Sequence, residues 1–68
     1  MTFGENLKRI RKEMKLTQAE MAKEIGISQS YIADIERDRK NISLAVVLRI
    51  AEGLNISVNE LINDDIKQ

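Results

Sequence analysis

With 68 residues the chain has room for one domain and a small core, and it holds no Cys and no His, so disulfides and the common zinc sites are excluded. Hydrophobic residues make up 43% and charged residues 32%, with no Pro and three Gly, which fits an all-helical chain rather than a disordered one. Eleven basic and eleven acidic side chains cancel, but unevenly: residues 1–41 hold nine basic and seven acidic groups, residues 42–68 two and four. The sharpest basic cluster is Lys8, Arg9, Arg11, Lys12 and Lys15. No run approaches the length of a transmembrane helix and the N-terminus lacks the apolar stretch of a signal peptide, so an intracellular, soluble protein with no membrane partner is expected.

Thr2-x-x-Glu5 is a capping box that opens a first helix running to about Met14, and Phe3, Leu7, Ile10 and Met14 recur at helical spacing as its buried stripe. Lys15 falls where the chain must turn left-handed before Leu16. A second box, Thr17-x-x-Glu20, opens a helix over about Gln18 to Ile25; Gly26 marks a sharp turn, and Ser28 caps a third helix over about Gln29 to Arg37. Asp38 to Asn41 is a polar loop. Ser43 caps a fourth helix, SLAVVLRIAEGL, with Leu44, Val47, Leu48 and Ala51 as its core stripe and Ala45, Val46 and Ile50 as additional apolar surface. Asn55 stops it, and a third box, Ser57-x-x-Glu60, opens a short fifth helix with Val58, Leu61 and Ile62. Residues 63–68 read as a frayed polar tail in which Ile66 is an isolated apolar residue. The expectation is a single domain over 1–68: an all-α bundle of five helices without strands or linkers.

The organising stretch is QAEMAKEIGISQSYIADIE, residues 18–36. Met21, Ile25, Ile27, Ile32 and Ile35 turn both helices toward one core, Ala22 permits a close crossing, and Gly26 supplies the turn. Two helices joined steeply by a short Gly-containing turn form a helix-turn-helix, here about residues 17–37, whose second helix enters the major groove of DNA. The bland alternative is a helical hairpin in a small bundle with no DNA role.

At the level of family, LKRIRKEMKLTQAEMAKEIGIS, QSYIADIER, SLAVVLRIAEGLNIS and VNELI, together about Phe3 to Ile62, resemble the lambda repressor/Cro-like (Xre) helix-turn-helix proteins. The compact length is similar to restriction–modification controllers and small phage repressors. The resemblance implies a lambda-repressor-like five-helix DNA-binding fold in which Ser28, Gln29, Ser30 and, a turn later, Asp34 face the bases. Gln can bond adenine bidentately, Ser meets several base edges, and Asp accepts only from a cytosine amine and is repelled by phosphate, or else pairs with Arg37. It further places Thr17, Gln18, Tyr31, Arg37, Arg39, Lys40 and Asn41 at the DNA backbone. Gln18 gains there from the amides and dipole of a helix N-terminus. Two readings of Tyr31 stand, a sugar–phosphate contact and a half-buried packing residue. Arg11 and Glu36 match positions the family joins by a partly buried ion pair, a structural role. Two departures from the family pattern are Asp38 in place of Gly and Ile42 in place of Pro.

One such unit reads about half a site, so a homodimer on a palindromic double-stranded operator is expected. The apolar surplus at Val46, Ile50, Leu54, Ile56, Val58 and Ile62, within about residues 44–62, is the candidate dimer interface. The function expected is transcriptional regulation, by repression or activation, in a bacterial or phage-encoded cytoplasmic protein associated with the nucleoid when bound. The rival is a protein-interaction module, such as an antitoxin-like partner of another protein. An enzyme is not expected: without His, Cys or a Gly-rich phosphate loop, nothing assembles nucleophile, base and oxyanion donors. Neither a metal, a cofactor nor a small-molecule ligand is expected.

Overall fold

A computed structural model of the chain describes residues 1–62. Its helices are α1 (Phe3–Glu13), α2 (Gln18–Ile25), α3 (Gln29–Glu36), α4 (Leu44–Leu54) and α5 (Val58–Leu61), with no strand among the described residues. The polar tail and Ile66 lie outside them.

Local chemistry sets both ends of nearly every helix. Thr2, Thr17, Ser28, Ser43 and Ser57 each accept the backbone amide three residues on, at 3.0–3.2 Å. At Thr2 and Thr17 the capping box closes reciprocally, each backbone amide donating to Glu5 or Glu20 at 2.8 Å. At Ser57 it closes on one side only, because the Glu60 carboxylate turns to the Ser57 hydroxyl (3.5 Å) rather than to its amide. The stops are left-handed residues: Lys15 (φ 60°), Gly26 (83°), Asp38 (58°) and Asn55 (56°). After α1, α3 and α4 the amides that follow bond back in pairs, for example Arg39 to Asp34 (2.9 Å) and Asp38 to Ile35 (3.0 Å), so the terminal carbonyls are satisfied. Those bonds offset a left-handed cost of about 1–2 kcal/mol at each non-Gly position.

The core gathers Leu7 and Ile10 of α1, Met21, Ala22 and Ile25 of α2, Ile32 and Ile35 of α3, Val47, Ile50, Ala51 and Leu54 of α4, and Leu61 of α5. Two expectations need correction. Met14, expected in the α1 stripe, is 41% exposed, since the chain has already turned away at the helix end. Ile42, which stands in place of the family's Pro, is half-buried and packs against the core. The larger correction is the phase of α4: Leu44 and Leu48 are 69% and 48% exposed, while Ile50 is fully buried. Gly53 decides this. A Cβ there would lie 2.8 Å from Ile25 Cα and 3.0 Å from the Glu24 carbonyl oxygen, so α4 crosses α2 backbone against backbone at that point. One turn earlier Arg49 donates to the carbonyls of Ile25 (3.3 Å) and Gly26 (3.2 Å). With that edge of α4 turned to α2, residues 47, 50, 51 and 54 point inward.

The candidate dimer interface changes with the phase. Ile50 and Leu54 belong to the core at 0% and 5% exposure and cannot present themselves to a second subunit. Val46, Ile56 and Val58 are half-buried against the same core, and of that set Ile62, at 39%, is exposed.

Helix α5 is too short to hold itself and is fastened by a buried amide. Asn6 Nδ2 donates to the carbonyls of Leu61 (2.7 Å) and Glu60 (3.2 Å), and its Oδ1 accepts from Arg9 Nη2 (2.6 Å) and Nε (3.2 Å). Arg9 also bonds Glu13 at 2.9 Å.

Candidate nucleic-acid interface

The α2–α3 pair closes around Gly26, whose left-handed backbone lets Ser28 cap α3 two residues later. Ser28, Gln29 and Ser30 lie exposed on the first turn of α3. The two serine hydroxyls are 3.3 Å apart, and the Gln29 amide makes no hydrogen bond among the described residues. These are polar groups held on a rigid element with their capacity turned outward, as direct base reading requires. Asp34 is half-buried, and the pair with Arg37 does not form: the ion pairs among the described residues are Arg9–Glu13 and Arg11–Glu36. Tyr31 is half-buried with its ring against the core, in keeping with the packing reading of that side chain.

A charged junction sets the angle of α3. Arg11 Nε and Nη2 donate to Glu36 at 2.7 and 3.1 Å, and Nη1 donates to the Leu16 carbonyl at 2.9 Å. The two side chains are 12% and 3% exposed. Donating hydrogen bonds to the Glu36 carboxylate raises the Arg11 pKa further, against the opposing effect of burial. Gln18 joins this junction, its Nε2 donating to Glu36 Oε1 at 3.1 Å. One amide hydrogen is thereby committed to orienting the side chain, and the second is left over. Thr17 and Gln18, at the start of α2, are thus fixed beside the Glu36–Arg37 end of α3. The amides of Gln18 and Ala19 belong to the first helical turn, where no preceding carbonyl is in register to accept them.

Beyond α3, Arg37, Arg39, Lys40 and Asn41 are all exposed, and the bonds at Asp38 and Arg39 set the direction in which they leave the helix. Sequence reasoning missed three residues that hold this arrangement. Asn6 had a signal: with Phe3, Leu7 and Ile10 it completes the i, i+3, i+4, i+7 stripe, so an uncharged amide lay on the buried face. Arg49 is the single charge inside LAVVLRIA. For Asp38, whose side chain reaches α1, the local sequence carries no signal.

A family profile described as helix-turn-helix matches residues 7–61. The chain belongs to that family. Its fold is the lambda-repressor-like one, shared with phage repressors and restriction–modification controllers. It is 46% identical over 65 residues to the immunity repressor of Bacillus phage phi105, a match covering 96% of this chain and 45% of that repressor, so the chain spans under half of the relative's length. The controller protein C.AhdI of Aeromonas hydrophila superposes with a TM-score of 0.83 at 35% identity, over 88% of this chain and 91% of that one. The P22 c2 repressor, solved in complex with a synthetic operator, gives a TM-score of 0.80 at 28% identity, over 96% and 98% of the two chains. The family is one of DNA-binding transcriptional regulators. No helix among its described residues is long and apolar enough to cross a membrane.

Proposed function

We propose that the chain regulates transcription by binding a palindromic operator as a homodimer, α3 of each subunit reading one half-site in the major groove. The observation that carries this reading is the exposed Ser28-Gln29-Ser30 turn on a helix fixed to α1 and α2 by the Arg11–Glu36–Gln18 junction. In this reading Ser28, Gln29, Ser30 and Asp34 face the bases, while Thr17, Gln18, Tyr31, Arg37, Arg39, Lys40 and Asn41 face the backbone. The operator-bound P22 relative supports the docking mode. For the dimer, exposed apolar groups of the C-terminal half are Leu44 and Leu48, one turn apart on α4, with Ile62 beyond α5. They replace Ile50 and Leu54 as the surface a second subunit would cover. The relatives are regulators, which favours a non-enzymatic role.

Selection from random duplex DNA tests the reading directly. The expected product is an inverted repeat with half-sites about one helical turn apart, and Gln29→Ala relaxes the preference at its base by about 1–3 kcal/mol. Leu48→Glu is expected to leave a monomer by sedimentation and to lose the paired half-sites. Selection without enrichment, with only weak salt-sensitive binding, would turn the assignment toward the protein-interaction module, whereas an enriched site whose preference is unchanged in Gln29→Ala would overturn the placement of the reading helix.

A further inference from the structure

The end of α3 is tied to the start of α1 by one side chain. Asp38, the left-handed residue just beyond α3, accepts from the Gly4 backbone amide with Oδ1 (3.1 Å) and from the Thr2 hydroxyl with Oδ2 (2.7 Å). Both carboxylate oxygens are engaged at the first turn of α1, where unsatisfied amides and the helix dipole favour an anion. The Thr2 hydroxyl donates to Asp38 while its oxygen accepts the Glu5 amide at 3.1 Å, which leaves one lone pair on it. The approach leaves no room for a side chain on α1: a Cβ on Gly4 would overlap the Ile35 carbonyl oxygen. Asp38 therefore joins segments 34 and 36 positions apart in sequence. Its own amide meanwhile closes α3 through Ile35, and the exposed Arg39, Lys40 and Asn41 follow directly.

We propose that Asp38 is a positioning residue for DNA binding: by fastening the end of α3 to the start of α1 it holds the Arg39–Lys40–Asn41 loop where it meets phosphate. The inference rests on the DNA-binding reading above. It opposes the simple electrostatic expectation in sign. A carboxylate next to a phosphate-facing loop repels DNA, so its removal alone should strengthen binding. If Asp38 instead aims the loop, its removal weakens binding even though the protein becomes more positive.

The measurement is fluorescence anisotropy with a mixed-sequence duplex over about 50 to 200 mM salt, reading both affinity and the slope of log K against log salt. Asp38→Gly keeps the left-handed turn and deletes the carboxylate. It is expected to bind about tenfold more weakly, with a slope shallower by about one for each phosphate that the loop no longer neutralises. Asp38→Asn, whose amide oxygen still accepts from Gly4 and whose nitrogen can donate to the Thr2 oxygen, should keep the wild-type slope and stay within about threefold. Thr2→Ala, which leaves the Asp38 charge in place, should move affinity and slope in the same direction as Asp38→Gly. It decides the matter if a thermal melt shows Asp38→Gly unfolded at the assay temperature. Wild-type slope with equal or tighter binding in the folded variants overturns the positioning role. Absence of salt-dependent binding by the wild type would instead overturn the DNA reading on which it rests.

Discussion

Replacing Glu36 by Gln removes one charge from the junction of α1, α2 and α3 and little else. The carboxylate accepts three hydrogen bonds, two from Arg11 and one from Gln18, and its side chain is 3% exposed. Gln offers one oxygen where two were used, and its amide group faces a donor of Arg11. The guanidinium, at 12% exposure, is left largely desolvated without a counter-charge. Breaking one partner out of a buried pair costs about 3–5 kcal/mol. Because the Gln oxygen keeps one bond and Arg11 keeps the Leu16 carbonyl, the lower figure, about 3 kcal/mol, applies. A chain of this length has a total stability of roughly 3–10 kcal/mol, so between about a third and nearly all of it is at stake. The expected fall in Tm is about 12–24 °C at ~4–8 °C per kcal/mol, read by circular dichroism and checked by urea unfolding. The double replacement Arg11→Met with Glu36→Leu removes both charges and should recover most of the loss, since two apolar groups leave no orphaned charge. A Glu36→Gln melt within about 3 °C of wild type would refute the reasoning, because the pair would then contribute no more than an exposed one.

Two further perturbations probe features at the remaining helix junctions. Gly53→Ala places a Cβ against the α2 backbone and should destabilise by about 1–3 kcal/mol, whereas Gly26→Ala, whose Cβ would meet only the flexible end of Arg49 at 3.2 Å, should lose about 1–2 kcal/mol through its positive φ; thermal melts of the two compare the causes. At acid pH the Thr17 backbone amide, donating to the Glu20 carboxylate, holds that group below its ordinary pKa. The folded state then binds its proton less readily than the unfolded chain, so the contribution is present above the ordinary Glu range and disappears as pH falls through the lowered value. Urea titrations at successive pH values should show a shallower acid loss for Glu20→Gln than for wild type, and parallel profiles would contradict the capping-box assignment.

The ends of the helices were legible in the sequence because caps and stops act across three or four residues. Thr2, Thr17, Ser28 and Ser43, with Lys15, Gly26 and Asn55, each perform at short range the task their residue type suits. The core stripes of α2 and α3 were legible for a related reason: polar residues interrupt the apolar ones often enough to leave a single phase. The Arg11–Glu36 pair, 25 positions apart, was available only through family resemblance, since no local pattern links the two residues.

Helix α4 marks the boundary between the two kinds of information. Its run LAVVLRIAEGL is apolar at so many positions that the stripes 44-47-48-51 and 47-50-51-54 are equally helical, and periodicity cannot choose between them. The choice belongs to Gly53 against Ile25 and to Arg49 on the α2 carbonyls, contacts between segments more than twenty residues apart. The same holds for Asn6 on the end of α5 and for Asp38 on the start of α1. The sequence alone determined where each helix begins, where it turns and which family the chain joins, because these follow from neighbours along the chain. Which face of α4 lies open, and which polar side chains fasten one helix to the next, only the packed structure decided, because those free energies exist only once distant segments meet.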